Sequence, residues 1–213
     1  QFQSRYDSAF ESHESARTLA QTSGDAASEA AALSNIGLIL QTRGEAAKSL
    51  ACHERSATLF SSMPNRPAEA EELGNLGNAL FQRGELGKAL DFYQRARAKS
   101  AESGYRLGEA KQLASVGKAR AALGEFEAAL ADYEAAGATL HACGCCYGEA
   151  VVLSHTGLAH AAQSRWDTAL DFYGRALVLF RGMHAKREQT SVLANMANAW
   201  LARGDATGIL AVW

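Results

Sequence analysis

The stretch that determines the fold is residues 68–103, AEAEELGNLGNALFQRGELGKALDFYQRARAKSAES. Its first half carries leucines such as Leu73 and Leu76 at helical spacing. Gly84 ends that helix, because glycine adopts the left-handed cap conformation without a steric penalty. Glu85 then lies in the first turn of a second helix, where a carboxylate favours the positive end of the helix dipole. The stretch therefore predicts two helices joined by a short turn, which must run antiparallel.

The same pattern recurs every 40 residues along the chain. The recurring positions are Gly37, Gly77, Gly117 and Gly157, continued by Ala197; Leu33, Leu73, Leu113, Leu153 and Leu193; and Gly44, Gly84, Gly124 and Gly204, with Ser164 as the exception. A fixed period of about 20 to 50 residues is typical of a solenoid, in which each unit buries its apolar face on its neighbours. We therefore expect an all-α solenoid of antiparallel helix pairs, with a binding surface rather than a catalytic site.

The small residues of the repeat have a packing role. Gly37, Gly77 and their equivalents lie in the middle of a helix, where glycine costs about 1 kcal/mol relative to alanine. We expect close helix approach at these positions, with the space between units filled by Tyr93 and the tyrosines that follow it at the same period. His53 takes the tyrosine position in the first full unit, and Trp213 takes it in the last.

These residues resemble the tetratricopeptide repeat family. The matching pattern is Leu-x-x-[Leu/Val]-Gly, then Gly, then Ala-Leu-x-x-Tyr-x-x-Ala. It is present here as Leu73, Leu76, Gly77, Gly84, Ala89, Leu90, Tyr93 and Ala96. The longer repeat is similar to that of Pins-type adaptors, kinesin light chains and bacterial regulators of this family. The resemblance implies a right-handed superhelical solenoid and is nearly silent on function.

We expect residues 1–213 to form a single solenoid that belongs to a longer polypeptide. A lone second helix is predicted at 4–23. Full repeats are predicted at 28–63, 68–103, 108–143 and 148–183, and a truncated repeat at 188–213. The departures from the pattern, such as Ser164 for glycine, weaken individual units without breaking the period.

The resemblance implies that the first helix of each unit lines a concave groove. Counting from the recurring leucine predicts which side chains face this groove. The predicted peptide-binding residues are Asn35, Leu38, Glu71, Asn75, Asn78, Phe81, Lys111, Lys118, His155, Leu158, Asn195 and Asn198. Leu38, Phe81 and Leu158 are expected beside pockets for partner side chains.

An asparagine amide both donates and accepts hydrogen bonds, so it binds a peptide backbone regardless of sequence. Lys111 and Lys118 lie two turns apart on one helix face and could receive acidic groups, unless Glu71 of the preceding unit neutralises them. The alternative is that the asparagines bond between neighbouring helices and the lysines are only solvated.

The one cluster with metal-ligand chemistry is Cys143, Cys145 and Cys146, together with His141. Three thiolates and an imidazole suit zinc, but adjacent cysteines seldom reach one tetrahedral ion together. The segment also aligns with an ordinary turn between units, and a redox or modification role is a third reading. We expect no bound metal and no cofactor. Motifs for zinc hydrolysis, phosphate binding and a serine nucleophile are absent, so we expect no enzyme.

Composition narrows the partner class. A net charge of −2 argues against nucleic acid, whose binding faces need clustered lysine and arginine. No apolar run approaches the roughly 20 residues of a membrane span. Four cysteines without a disulfide spacing favour a reducing, cytoplasmic setting.

The function that the sequence favours is a protein-protein interaction scaffold that binds a partner peptide or helix along the concave groove. The alternative is a regulatory arm of a larger enzyme or transcription regulator, whose groove holds another part of the same chain or a subunit. Self-association through an open end at Ile209, Leu210 and Trp213 is a third possibility.

Overall fold

The computed structural model describes the backbone of residues 2–205 and the side chains of residues 6–205. Within that range every regular element is an α-helix, which confirms the all-α prediction. The helices are α1 (Phe2–Ser23), α2 (Ala26–Thr42), α3 (Ala46–Ser61), α4 (Arg66–Gln82), α5 (Leu86–Glu102), α6 (Arg106–Ala122), α7 (Phe126–Ala142), α8 (Cys146–Ala162), α9 (Trp166–Gly182) and α10 (Lys186–Arg203). None of these helices combines the length and the apolar character that crossing a bilayer requires. The predicted roles of Ile209, Leu210 and Trp213 lie outside the described residues.

The chain divides into two compact units, Gln1–Ser115 and Val116–Trp213, and the boundary falls within α6. In the first unit, each of α1, α2, α3 and α4 packs on the next helix along the chain, and α2 also contacts α4. In the second unit, α7 to α10 pack in the same way, and α8 also contacts α10. Each unit is thus a stack of helix pairs in which first helices meet first helices.

The turns inside the helix pairs share one backbone geometry. Gly84 has φ +78°, and the next residue, Glu85, donates its backbone N–H to the carbonyl of Leu80 at 3.0 Å. This closes the helix with a left-handed cap, as the sequence predicted. Ser164 adopts the same conformation, with φ 59°, although it carries a side chain. A second series of left-handed residues, which the sequence analysis did not identify, closes turns between the pairs and ends at His184 with φ 55°.

Aromatic rings occupy the space that the mid-helix glycines leave. A Cβ atom added to Gly77 would lie 2.5 Å from the ring of Tyr93, and one added to Gly157 would lie 2.6 Å from the ring of Tyr173. Gly37 has the same relationship to the imidazole of His53, at 2.6 Å. These rings are buried. The predicted packing role of the glycines, and of His53 as a stand-in for tyrosine, is confirmed.

Candidate functional site

Some of the predicted groove residues of the first unit are exposed, and others form hydrogen bonds within the protein. Asn35 and Leu38 on α2, Glu71 on α4 and Lys111 on α6 are exposed, and Leu38 keeps 41% of its surface accessible. Phe81, at the end of α4, is partly buried. The exposed set offers an amide, an apolar side chain, a carboxylate and an ammonium to a partner.

Asn75 and Asn78 form hydrogen bonds to other side chains of the protein. The Asn75 amide donates to Glu72 Oε2 at 3.2 Å and to Ser34 Oγ on α2 at 3.4 Å. Asn78 Oδ1 accepts a hydrogen bond of 2.8 Å from the hydroxyl of Tyr93. For these two residues the alternative interpretation holds, because their amides bond within and between neighbouring helices.

Asn75 belongs to a buried polar network that the repeat pattern did not predict. Glu72 Oε1 lies 2.6 Å from His53 Nδ1, and Glu72 Oε2 accepts from Ser34 Oγ at 2.6 Å. The network joins α2, α3 and α4 in the interior of the first unit. Two residues of the network depart from the repeat pattern, and the sequence shows both departures. His53 takes the position of the repeated tyrosine, and Glu72 takes the position that Val152 and Val192 hold in later repeats.

The second unit contains a small pocket between α8 and α10. Its volume is about 160 Å³. The lining residues are Val151, Ser154, His155, Phe180, Arg187, Glu188, Ser191 and Val192. His155 was predicted as a groove residue. Arg187 and Glu188 were not, although both lie one helical turn before Ser191 and so share its face of α10.

His155 is one of the polar residues that line this pocket, together with the charged Arg187 and Glu188. Burial, reinforced by the positive charge of Lys118, lowers the pKa of His155 to about 4, so the imidazole is neutral at pH 7. Its ring centroid lies 5.9 Å from that of Tyr133. His155 Nδ1 is buried and has no hydrogen-bond partner among the described residues. A neutral imidazole with an unused nitrogen offers a hydrogen bond to a ligand.

The other predicted groove residues of the second unit do not line this pocket, and their exposure varies. Leu158 keeps 43% of its surface accessible, and Asn198 is also exposed. Asn195 and Lys118 are partly buried. Burial lowers the pKa of Lys118 to about 8, which still leaves it mostly protonated at pH 7. The second unit therefore presents an apolar side chain, amides and an ammonium beside the neutral His155.

The cysteine cluster spans the turn between α7 and α8, and its last member, Cys146, is the first residue of α8. Cys143, Cys145 and Cys146 are free thiols, and the first and last are exposed. His141 pairs instead with Glu149, at 3.0 Å between Nδ1 and Oε2. Across residues 6–205 no group of three His, Cys, Asp or Glu side chains is arranged to hold a metal ion. These four side chains are not arranged as a zinc site in the described part of the chain, and the backbone around Gly144 forms a turn, as the turn interpretation expects.

Comparison with known proteins supports the predicted repeat type over part of the chain. The tetratricopeptide repeat family model matches residues 28–102, about two of the predicted units. No curated protein matches the sequence. The fold comparison, by contrast, covers nearly the whole chain.

Three solved structures illustrate that fold. BtubC (BKLC) from P. vanneervenii is 20% identical with a TM-score of 0.77, over 99% of this chain and 87% of that one. The Rap conjugation gene regulator of plasmid pLS20, in complex with the Phr* peptide, is 16% identical with a TM-score of 0.78, over 91% of this chain and 53% of that one. The TPR-like repeats of a candidate kinesin light chain from Podosopora anserina are 13% identical with a TM-score of 0.66, over 87% of this chain and 92% of that one.

These likenesses show that the chain has a tetratricopeptide-like helical solenoid fold. They do not transfer a ligand, because identities this low establish fold alone. The chain spans about half the length of the Rap regulator that it matches.

Proposed function

We propose that the chain is a non-catalytic protein-interaction scaffold that binds a partner peptide or helix along the first helices of its units. The observation that carries the proposal is the α8–α10 pocket, in which His155 Nδ1 is buried without a partner among the described residues. A buried nitrogen that forms no hydrogen bond is costly unless a ligand supplies the missing partner. The pocket is lined by His155, which the repeat pattern predicted to face the groove.

In the second unit, recognition combines one directional hydrogen bond with apolar contact. A volume of about 160 Å³ suits one side chain or a short backbone segment of a partner. The neutral imidazole of His155 bonds to that segment, and the exposed face of Leu158 packs beside it. The amides of Asn195 and Asn198 extend the polar contact along α10.

In the first unit, the proposal rests on the exposed residues Asn35, Leu38, Glu71 and Lys111. Asn75 and Asn78 already bond within the protein, so a partner would gain less from them. Support comes from the Rap regulator, a protein of similar fold whose structure is in complex with the Phr* peptide. A net charge of −2 favours a protein partner over a nucleic acid.

A peptide-display library selected on the purified chain tests the proposal. Leu158→Asp places a charge in the proposed groove of the second unit, and Val178→Asp places the same charge on α9, where Val178 is 69% exposed. In the first unit, Leu38→Asp on α2 is matched by Leu19→Asp on α1, where Leu19 is 70% exposed.

We expect Leu158→Asp and Leu38→Asp to weaken the binding of a selected peptide by about tenfold or more, because each places a charge against an apolar part of the peptide. The α1 and α9 variants should leave affinity within about twofold. Binding that survives Leu158→Asp and Leu38→Asp but is lost with Val178→Asp or Leu19→Asp would overturn the groove assignment.

A second function is a regulatory arm of a larger protein. It is favoured by the similarity to a conjugation gene regulator, of which this chain spans about half. In that case the groove holds another part of the same polypeptide. The complete gene product would then bind the selected peptide more weakly than the 213-residue chain does, whereas a simple scaffold would bind it equally well in both forms.

A further inference from the structure

A larger cavity lies in the second unit, away from the groove. It has a volume of about 560 Å³ and is enclosed by α7, α8 and α9, so it opens between second helices rather than first helices. Its apolar lining is formed by Leu130, Tyr133, Val152, Leu153 and Phe172. We call it the α7–α9 pocket.

The pocket exists because one side chain is missing. Gly137 lines it from α7, and the equivalent position one repeat later is Leu177, which is buried in the core. A Cβ on Gly137 would meet only Val152 Cγ1, at 3.5 Å, which is ordinary contact. Gly117 and Gly157 differ, because tyrosine rings occupy the space beside them. Gly137 therefore leaves an open volume rather than room for a neighbouring ring.

Polar side chains surround the apolar lining. Glu134 is exposed on α7, and Glu149 pairs with His141 at 3.0 Å. His160 stacks on Phe172, with ring centroids 5.4 Å apart, and the Arg175 guanidinium lies 5.1 Å from the same ring centre. Burial lowers the pKa of His160, which favours its neutral form.

Two carboxylates thus face one guanidinium around the pocket, and the excess charge is negative. Glu134 is the carboxylate without an ion pair among the described residues. A bound cation would find its counter-charge there, above an apolar surface suited to a ring or a branched chain. The volume lies within the range of about 300 to 1,000 Å³ that small-molecule sites occupy.

From this geometry we infer that the α7–α9 pocket binds a small organic cation with an aromatic or branched apolar body. The body packs on Leu130, Val152 and Phe172, and the cationic end pairs with Glu134. This site is separate from the proposed peptide groove and does not depend on it, although α8 contributes residues to both.

Calorimetric titration of the whole chain with phenethylamine and with phenylacetate tests the inference, because these probes share a ring and differ in charge. We expect phenethylamine to bind about fivefold more tightly than phenylacetate, which is the upper range for an exposed charge pair. Glu134→Gln should reduce that preference to less than about twofold.

Gly137→Leu fills the pocket with the residue that Leu177 supplies in the next repeat, so the helix should tolerate it. It should abolish phenethylamine binding. Gly174→Leu makes the same change on α9, where nothing lies within 4 Å of an added Cβ, and should retain binding. No binding of phenethylamine to the unchanged protein, equal binding of the two probes, or undiminished binding to Gly137→Leu would each overturn the inference.

Discussion

His53 on α3 and Glu72 on α4 form a buried hydrogen-bonded pair, with 2.6 Å between Nδ1 and Oε1. Both side chains are essentially inaccessible, at 0% and 2%. At the corresponding positions two repeats later stand Tyr133 and Val152, an apolar pair. The same two positions of the repeat are therefore filled by a polar pair in the first unit and by an apolar pair in the second.

Exchanging one member of this pair should destabilise the protein, and exchanging both should restore it. Glu72→Val leaves His53 Nδ1 and Ser34 Oγ without an acceptor, and His53→Tyr leaves the Glu72 carboxylate buried without its imidazole partner. We expect each single change to cost about 3 kcal/mol of unfolding free energy. The double variant reproduces the tyrosine–valine pair and should lie within about 1 kcal/mol of the original protein.

Urea unfolding of the four proteins measures this double-mutant cycle. With these values the expected coupling energy is about 5 kcal/mol, which is above the range usual for two residues in contact. Additive losses in the double variant would show that the pair is not energetically coupled and that tyrosine does not fit beside Gly37.

Substitution by alanine should change the free energy of unfolding in opposite directions at Gly157 and at Gly174. A Cβ on Gly157 would lie 2.6 Å from the Tyr173 ring, so Gly157→Ala forces the ring or the helix to move and should cost about 1 to 3 kcal/mol. Nothing lies within 4 Å of a Cβ on Gly174, so Gly174→Ala should gain about 0.5 to 1 kcal/mol through helix propensity. Thermal unfolding of both variants checks the signs, and a stabilising Gly157→Ala would contradict the close approach.

Ser164 occupies a left-handed turn position, with φ 59°, where other repeats use glycine. The left-handed conformation costs a residue with a Cβ about 1 kcal/mol or more in conformational energy. We expect Ser164→Gly to raise the unfolding free energy by about 1 kcal/mol, offset in part by the greater entropy of glycine in the unfolded chain. Gly124→Ser, the reciprocal change one repeat earlier, should destabilise by a similar amount in the same urea titration.

The fold could be predicted from the sequence because each repeat meets the same steric demands. Gly77 and Tyr93 are complementary at a fixed spacing, and Gly84 closes a turn that only a left-handed residue closes well. Residue identity and period are sufficient for both inferences. The structure was needed to show that Ser164 keeps the same turn despite lacking the glycine.

The site was predicted less completely, because it depends on distances between helices. Helical spacing indicated that Asn35 and Leu38 would be exposed. It could not show that Asn75 would lie within bonding distance of Ser34, since those residues meet only when α2 packs against α4. The α7–α9 pocket has the same origin, because a missing side chain at Gly137 leaves a cavity only where its neighbours fail to fill the space.

His155 should make stability depend on pH between about 4 and 6.5. Its pKa is about 4 in the folded protein and 6.5 for a solvated histidine, as in the unfolded chain, so the unfolded chain binds more protons in this window. Stability is therefore complete above pH 6.5 and falls as pH decreases toward 4, by about 2 to 3 kcal/mol from this residue. The glutamine in a His155→Gln variant cannot be protonated. We therefore expect this variant to show a flatter dependence of stability on pH between about 4 and 6.5, measured by urea titration. His184→Asn, a change of an exposed histidine to a residue that tolerates its left-handed backbone, should keep the original slope. Identical slopes in the original protein and the His155→Gln variant would contradict the assignment of His155 as a buried neutral imidazole.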